Sequence, residues 1–135
     1  MKKVEVVAAI IINDGQILSV QRPEHKLQYI SKKFEFPGGK IEVGETSEEA
    51  LRRELNEELD LDVEIGDLFL TVDHTYPDFN LIMHSFIVYT ESRKVNLNEH
   101  ISKVWLDKDM LSDVDWAAAD IPIVDKLKQT QWKTL

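Results

Sequence analysis

The sequence contains no cysteine among its 135 residues. Disulfide bonds and thiolate metal sites are therefore excluded, so any metal ion must be bound by oxygen or imidazole ligands. Glycine and proline are also scarce, with 5 and 4 residues, and no repeat or low-complexity segment interrupts the chain. We expect a single domain over residues 1–135, because this length buries one sizeable core and is too short for two ordinary domains.

Positive charge is also limited, since 16 lysines and arginines stand against 25 aspartates and glutamates, giving a net charge of −9. This negative charge disfavours electrostatic binding to the nucleic acid backbone, and we expect no direct nucleic acid binding. A phosphorylated small molecule remains compatible if a bound cation inverts the local field. No stretch approaches the ~20 apolar residues of a membrane span, and Glu5 interrupts the run that a secretory signal would need. We expect a cytoplasmic protein without membrane contact.

The order of apolar runs and turns predicts an α/β fold. "VEVVAAIII" and "QILSV" are β-rich runs joined at Asn13-Asp14-Gly15, which is typical of a hairpin because Asp-Gly adopts the positive φ angles of a tight turn. Residues 23–33 are polar and aperiodic, which indicates a loop. The stretches "DVEIGDLFLTVDHTY", "LIMHSFIVYT" and "KVWL" predict further strands.

Two helices are predicted. Thr46 and Glu49 form a capping-box pattern before a helix whose core face carries Leu51, Leu55 and Leu59. A closing helix is expected in "ADIPIVDKLKQTQ", with Asp120 as a candidate N-cap and Pro122 in the first turn. Strands between one central and one terminal helix predict a mixed β-sheet sandwiched between helices.

The first helix places Glu54, Glu57 and Glu58 on one face, next to the leucine face. Like charges four residues apart destabilise a helix by roughly 0.2–0.5 kcal/mol per pair. The cluster is therefore either a solvated surface or a site for a divalent cation. Ala50 falls within the acidic arc, and we expect its small side chain to leave room for a ligand.

Two other kinds of metal site are excluded by spacing. "DLDVEIGD" has the spaced acids of a calcium loop, but counted from Asp60 its glycine stands at the seventh position instead of the sixth, and Thr71 stands where a glutamate is required. The histidines show no paired ligand spacing, so zinc is not expected and each is interpreted as a surface or strand residue. They are His25, His74, His84 and His100.

The segment "GGKIEVGETSEEALRRELNEELDL" resembles the Nudix box in its glycines, acids and Arg-Glu-Leu core at fixed spacing. Outside it, "VVAAIIINDGQIL", "QRP", "EFPGGKIEVGET" and "ADIPIVDKL" are similar to MutT-type nucleoside triphosphate pyrophosphohydrolases, including the CTP-preferring branch. The resemblance implies the Nudix fold over nearly the whole chain. One position departs from the pattern, because Asp60 stands where glycine is usual. We expect a strained helix exit there without loss of chemistry.

The resemblance implies a Mg²⁺-dependent enzyme, with Mn²⁺ able to substitute. Water would attack an internal phosphorus of an oxidised or unmodified (d)NTP such as 8-oxo-dGTP or (d)CTP, releasing (d)NMP and pyrophosphate in nucleotide-pool sanitation. Two alternatives stay open: a Nudix-fold nucleotide-binding or regulatory module without turnover, and a Nudix hydrolase of another nucleoside diphosphate derivative. The expected assembly is a monomer or small homo-oligomer.

The resemblance also implies roles for individual residues. Metal ligation falls to Gly38 through its carbonyl and to Glu54, Glu57, Glu58 and Glu99. The catalytic group is Glu54 as general base, Arg53 as the residue that orients the carboxylates, and Glu99. Substrate contacts fall to Arg22, Phe36, Lys40 and Asp120.

Each of these positions also has a plainer interpretation from the residues alone. Gly38 and Gly39 could serve only a turn, and Glu99 could be a surface acid. Arg22 and Lys40 could be solvated cations, and Phe36 a core residue. Two further residues carry alternatives of the same kind: Glu45 either stabilises the helix N-terminus or supports the metal site, and Asp120 either caps a helix or reads the base.

Overall fold

The structure is a computed structural model and describes residues 1–132. Seven strands form one sheet, and they are β1 (Lys2–Asn13), β2 (Gln16–Gln21), β3 (Phe34–Glu35), β4 (Gly38–Lys40), β5 (Leu68–Thr75), β6 (Phe79–Tyr89) and β7 (Ser102–Leu106). Two α-helices accompany them, α1 (Ser47–Leu59) and α2 (Ile121–Lys128), with 3-10 turns at Lys108–Asp113 and Ala118–Asp120. None of the helices in residues 1–132 is long and apolar enough to cross a membrane.

Strand β1 is the centre of the sheet. It pairs in parallel with β6 along its length, from Lys2 opposite Phe79 to Ile12 opposite Tyr89. Along its other edge it pairs antiparallel with β4 and then with β2. Residues 7–12 are each at most 1% exposed, as expected for a strand that is covered on both faces. The predicted hairpin is confirmed, with Asp14 and Gly15 both at positive φ.

Alternate residues of β1 enter two separate cores, because successive side chains of a strand point to opposite faces. Val7, Ala9 and Ile11 pack with the leucines of α1. Ala8, Ile10 and Ile12 pack on the other face with the apolar residues of α2. The predicted mixed sheet between helices is therefore confirmed.

Helix α1 begins as predicted. The Thr46 hydroxyl accepts a hydrogen bond from the Glu49 N–H, and the Glu49 carboxylate accepts one from the Thr46 N–H. Leu51, Leu55 and Leu59 are fully buried. Ala50 is also fully buried and packs in the same core. The expectation that Ala50 leaves room for a ligand is therefore wrong, because the sheet lies closer to that side of the helix than its angular position suggested.

Helix α1 ends at Asp60, which takes the left-handed conformation with φ 52° and ψ 39°. Its N–H donates to the Asn56 carbonyl. Asp60 thus makes the exit that glycine makes in the Nudix pattern, at the conformational cost that a side chain carries there. Hydrogen bonds from the amides of Asn96 and Asn98 lower the pKa of its carboxyl group.

The second half departs from the prediction at two places. Strand β5 begins at Leu68 instead of Asp62, and only single backbone bonds between Gly66, Asp67 and Ile87 link the earlier segment to β6. Helix α2 is shorter than predicted, although Pro122 does lie in its first turn.

Asp120 stands at the N-cap position of α2, as predicted, but it does not cap the helix through its side chain. The residue has helical φ and ψ angles inside the 3-10 turn Ala118–Asp120, and its side chain makes no capping hydrogen bond. The carboxylate is turned instead toward Phe36, whose backbone nitrogen lies 3.5 Å from Oδ1.

Leu55→Ala should lower the free energy of unfolding by about 2–5 kcal/mol, because it opens a cavity between α1 and the sheet that the neighbours cannot close. Urea denaturation measures this change. Leu68→Ala is the matched control, since Leu68 is 56% exposed and its truncation should stay within about 0.5 kcal/mol. Equal losses for the two variants would contradict the assignment of Leu55 to the core.

Candidate metal centre and substrate cleft

Three carboxylates meet beside the sheet. Glu54 and Glu58 project from α1, and Glu99 lies in the loop before β7. One oxygen from each side chain falls within 4.8 Å of the others. Glu58 is 4% exposed, whereas Glu99 is exposed. Two of the acids, Glu54 and Glu58, are therefore half-buried or buried, and the third, Glu99, is exposed. Their side-chain oxygens converge on the same region.

The glycine turn that opens β4 passes directly over these acids. The Gly38 N–H donates to Glu58 Oε1 at 3.0 Å. A Cβ on Gly39 would lie 2.4 Å from the Glu54 carboxyl carbon, and a Cβ on Gly38 would lie 2.0 Å from the Val7 carbonyl oxygen. Both positions need glycine for close approach, Gly38 to the sheet and Gly39 to Glu54. The backbone of this turn is thereby brought close to Glu54 and Glu58. Metal ligation by the Gly38 carbonyl stays a prediction.

The Arg53 guanidinium donates hydrogen bonds to several carboxylates of this region. It binds Glu45 with two nitrogens, at 2.7 Å and 2.9 Å. Nη1 donates to Glu54 Oε1 at 2.9 Å and to Glu57 Oε2 at 3.3 Å, and Nη2 donates to the Lys40 carbonyl at 3.0 Å. Such charge-assisted bonds fix orientation as well as charge. Glu45 anchors Arg53, and Arg53 in turn orients Glu54.

The electrostatics of the cluster favour a bound cation. Burial raises the pKa of Glu54, although Arg53 opposes the shift. Burial, and then the carboxylates of Glu35, Glu54 and Glu99, raise the pKa of Glu58 to about 9. The ionised forms of these acids consequently need a further positive charge among them. The three carboxylates offer oxygen ligands, which fit a hard divalent cation such as Mg²⁺.

Glu57 lies at the edge of this cluster. Its side chain is 59% exposed and its contact is with Arg53, and it does not belong to the group of three whose oxygens converge. Metal ligation by Glu57 stays a prediction.

A cleft of about 790 Å³ extends from the carboxylates across the sheet. All four residues predicted for substrate contact line it, and they are Arg22, Phe36, Lys40 and Asp120. Phe36 is buried and packs against Trp116 with ring centroids 4.6 Å apart. Asp120 is 4% exposed, and burial, followed by the Glu35 carboxylate, raises its pKa well above the usual range. The converging carboxylates and the residues predicted for base contact thus line one cavity.

Two further residues line the cleft, Glu35 and His100, and the sequence analysis assigned neither of them to the site. His100 is buried, contrary to its interpretation as a surface or strand residue, and Nε2 lies 2.9 Å from Glu35 Oε2 and 3.9 Å from Glu58 Oε2. Glu35 also contacts Arg22 at 3.5 Å. In the sequence, His100 directly follows Glu99 and Glu35 directly precedes Phe36. This adjacency to predicted site residues was the signal that could have assigned both residues to the site.

Two tyrosines, Tyr29 and Tyr76, also line the cleft. Tyr29 from the loop at residues 23–33 stacks on Tyr76, with ring centroids 5.1 Å apart, and its hydroxyl is hydrogen-bonded to Asp78. The Tyr76 hydroxyl accepts a bond from the Ala119 N–H at 3.0 Å. These contacts join the loop at residues 23–33 to Tyr76, and Tyr76 to the 3-10 turn that contains Asp120.

The family model described as the NUDIX domain matches residues 1–127. The chain is 35% identical to the CTP pyrophosphohydrolase of Escherichia coli (strain K12) over 125 residues, covering 93% of this chain and 91% of the relative. It is 31% identical to the 8-oxo-dGTP diphosphatase of the same organism over 129 residues, covering 96% and 99%. The solution structure of the E. coli ORF135 protein superposes with a TM-score of 0.80 at 35% identity, covering 93% of this chain and 88% of that one.

Gly39→Ala should weaken Mn²⁺ binding by about 10- to 100-fold, the usual effect of displacing a metal-site support, because the new methyl group would push the Glu54 carboxylate aside. Electron paramagnetic resonance of free Mn²⁺ measures the affinity. The melting temperature should change little, since the clash is with the end of a flexible side chain. Gly38→Ala, which would collide with backbone, should instead lower the melting temperature. Unchanged Mn²⁺ affinity in Gly39→Ala would contradict this geometry.

Proposed function

The chain belongs to the Nudix family, and from that premise we propose that it is a Mg²⁺-dependent nucleoside triphosphate pyrophosphohydrolase. It converts a (d)NTP to (d)NMP and pyrophosphate, and its substrates are (d)CTP, 8-oxo-dGTP or a nucleotide of similar base chemistry. Relatives named for these two activities align over nearly the whole chain. The cellular role that follows is removal of unwanted nucleotides from the precursor pool.

One observation carries the proposal. The converging oxygens of Glu54, Glu58 and Glu99 line the same 790 Å³ cleft as Phe36 and Asp120. A triphosphate needs positive charge at one end of its site, and a nucleoside needs an apolar surface with polar groups at the other. A cation bound by the three carboxylates would supply the positive charge, and Phe36 and Asp120 offer an apolar surface and a polar group in the same cavity.

The residues that would hold Mg²⁺ are Glu54, Glu58 and Glu99, with Glu57 and the Gly38 carbonyl as further ligands. When bound, the ion neutralises phosphate charge and makes the attacking water a better nucleophile. Arg22 and Lys40 line the cleft beside this group and are assigned to the phosphates.

Glu54 is the proposed general base. Water attacks an internal phosphorus, its proton passes to the Glu54 carboxylate, and the bond to the departing pyrophosphate oxygen breaks. Burial raises the pKa of Glu54 and so makes it a stronger base than an exposed glutamate. Arg53 holds one carboxylate oxygen at 2.9 Å and limits rotation of the side chain. Glu45 fixes Arg53 in turn.

Asp120 is the proposed contact for the base edge. An ionised carboxylate at this position would only accept hydrogen bonds and would favour bases that present N–H groups. Burial and Glu35 raise the pKa of Asp120 and favour the protonated acid, which donates through O–H as well as accepting. Such a group pairs with the amino and N3 positions of cytosine, or with an N–H and adjacent carbonyl of 8-oxoguanine.

Pyrophosphate release from a panel of unmodified and oxidised nucleoside triphosphates tests the proposed function. We expect Mg²⁺-dependent release, abolished by EDTA and restored by Mg²⁺ or Mn²⁺ but poorly by Zn²⁺, because the ligands are oxygens. The ranking of kcat/KM across the panel identifies the substrate. Absence of release from every nucleotide would support a binding module without turnover and overturn the proposal.

Glu54→Gln should lower kcat by about 10²- to 10⁴-fold while the protein stays folded, because the amide is nearly isosteric but cannot accept the proton. Circular dichroism checks the fold and saturating Mg²⁺ separates catalysis from metal affinity. Retention of more than about a tenth of wild-type turnover would rule out Glu54 as the base.

Asp120→Ala should reduce the differences in kcat/KM among nucleotides, because the methyl group cannot pair with a base edge. Asp120→Asn is the matched control: its amide donates and accepts like a protonated acid, so the ranking should be kept. If the alanine variant keeps the wild-type ranking, specificity lies elsewhere, first at Phe36 and the loop at residues 23–33.

A further inference from the structure

The end of helix α1 is also the attachment point of the loop that carries Glu99. An α-helix leaves its last four carbonyls without internal partners. In α1 they are bound by Asp60 and by two asparagines of the loop: the Asn56 carbonyl accepts from the Asp60 N–H, Glu57 from Asn98 Nδ2, Glu58 from the Asn98 N–H, and Leu59 from the Asn96 N–H.

The Asp60 side chain adds a second layer of contacts to the same two asparagines. Its Oδ2 accepts from Asn96 Nδ2 at 2.8 Å and from Asn98 Nδ2 at 3.2 Å. Asn98 Nδ2 is therefore shared between Asp60 and the Glu57 carbonyl. Asn98 is the residue directly before Glu99, so these bonds act on the backbone next to a candidate metal ligand.

An aspartate is an unfavourable choice at this position on two counts. Its side chain incurs a conformational cost in the left-handed region that glycine avoids. Its negative charge lies at the negative end of the helix dipole, and the last turn of α1 contains no basic residue. The Nudix pattern places glycine here. Both costs are offset where the carboxylate makes two hydrogen bonds to the loop.

We propose that Asp60 is a positioning residue for the metal centre: its carboxylate ties Asn96 and Asn98 to the end of α1 and so holds Glu99 beside Glu54 and Glu58. Glu99 is exposed and comes from a segment without regular secondary structure, whereas the other two acids are fixed on α1. The third ligand therefore needs an external constraint, and Asp60 supplies it. This inference rests on the proposed function for its catalytic consequence but not for its effect on metal affinity.

Asp60→Gly is the decisive variant, because it restores the usual residue of the pattern and suits φ 52°. A purely structural role predicts unchanged or higher thermal stability and unchanged metal binding. The positioning role predicts about 10-fold weaker Mn²⁺ binding by electron paramagnetic resonance, with the melting temperature maintained. Asp60→Asn keeps an acceptor oxygen and tolerates the left-handed region, so it should stay within about 2-fold of wild type.

If Asp60 is a positioning residue, its effect on Mn²⁺ affinity is transmitted through Glu99. In a Glu99→Gln background, Asp60→Gly should therefore add less than about 2-fold to the loss of Mn²⁺ affinity, the non-additivity expected for coupled residues. The double variant Asn96→Ala/Asn98→Ala removes the bonds to Asp60 from the loop side, together with the Asn98 bond to the Glu57 carbonyl, and should lose at least as much Mn²⁺ affinity as Asp60→Gly.

The proposal is overturned if Asp60→Gly binds Mn²⁺ like wild type, if the asparagine pair can be removed without loss, or if the loss is equally large in the Glu99→Gln background. Pyrophosphate release by the wild-type protein tests the proposed function separately. A wild type that hydrolyses nucleotides while Asp60→Gly keeps full Mn²⁺ affinity would refute only the positioning role.

Discussion

Repulsion among carboxylates brought within 4.8 Å of one another is the constraint around which this site is built. Partial burial strengthens the repulsion, since a low-dielectric surrounding disfavours every ionised form. Hydrogen-bond donors offset this repulsion, and the acids are not moved apart: Arg53 donates to Glu54, and the Gly38 N–H donates to Glu58. A bound divalent cation would complete the balance and, under the proposed function, let the acids act together on one phosphate chain.

Local features of the fold were predictable from the sequence because their causes are local. The capping box at Thr46 and Glu49 and the leucines four residues apart define α1 without reference to the rest of the chain. The same holds for the hairpin at Asp14-Gly15. The Nudix box was recognisable for a related reason, since its acids, arginine and glycines lie within one short segment and their spacing follows the helix period.

Features that depend on distant contacts were not predictable in this way. His100 and Glu35 are 65 residues apart in sequence, and their pairing follows from the placement of β3 and β7 on β2. Asp120 stands at the N-cap position of α2, but its carboxylate makes no capping hydrogen bond and lies near the Phe36 backbone nitrogen in the cleft. The angular position of Ala50 placed it among acids, whereas the approach of the sheet decides its burial. Tertiary packing overrides local preference at each of these positions.

The parallel pairing of β1 with β6 has a consequence for the order in which the chain is made. Paired residues are 77 positions apart, from Lys2 with Phe79 to Ile12 with Tyr89. At the usual 5–20 residues per second, the ribosome produces β6 roughly 4–15 s after β1. Throughout that interval the apolar residues 7–12 lack the strand that covers one edge of β1. Exposed, uncharged β-rich segments are prone to association, so the nascent chain is most vulnerable between synthesis of the first strand and the sixth.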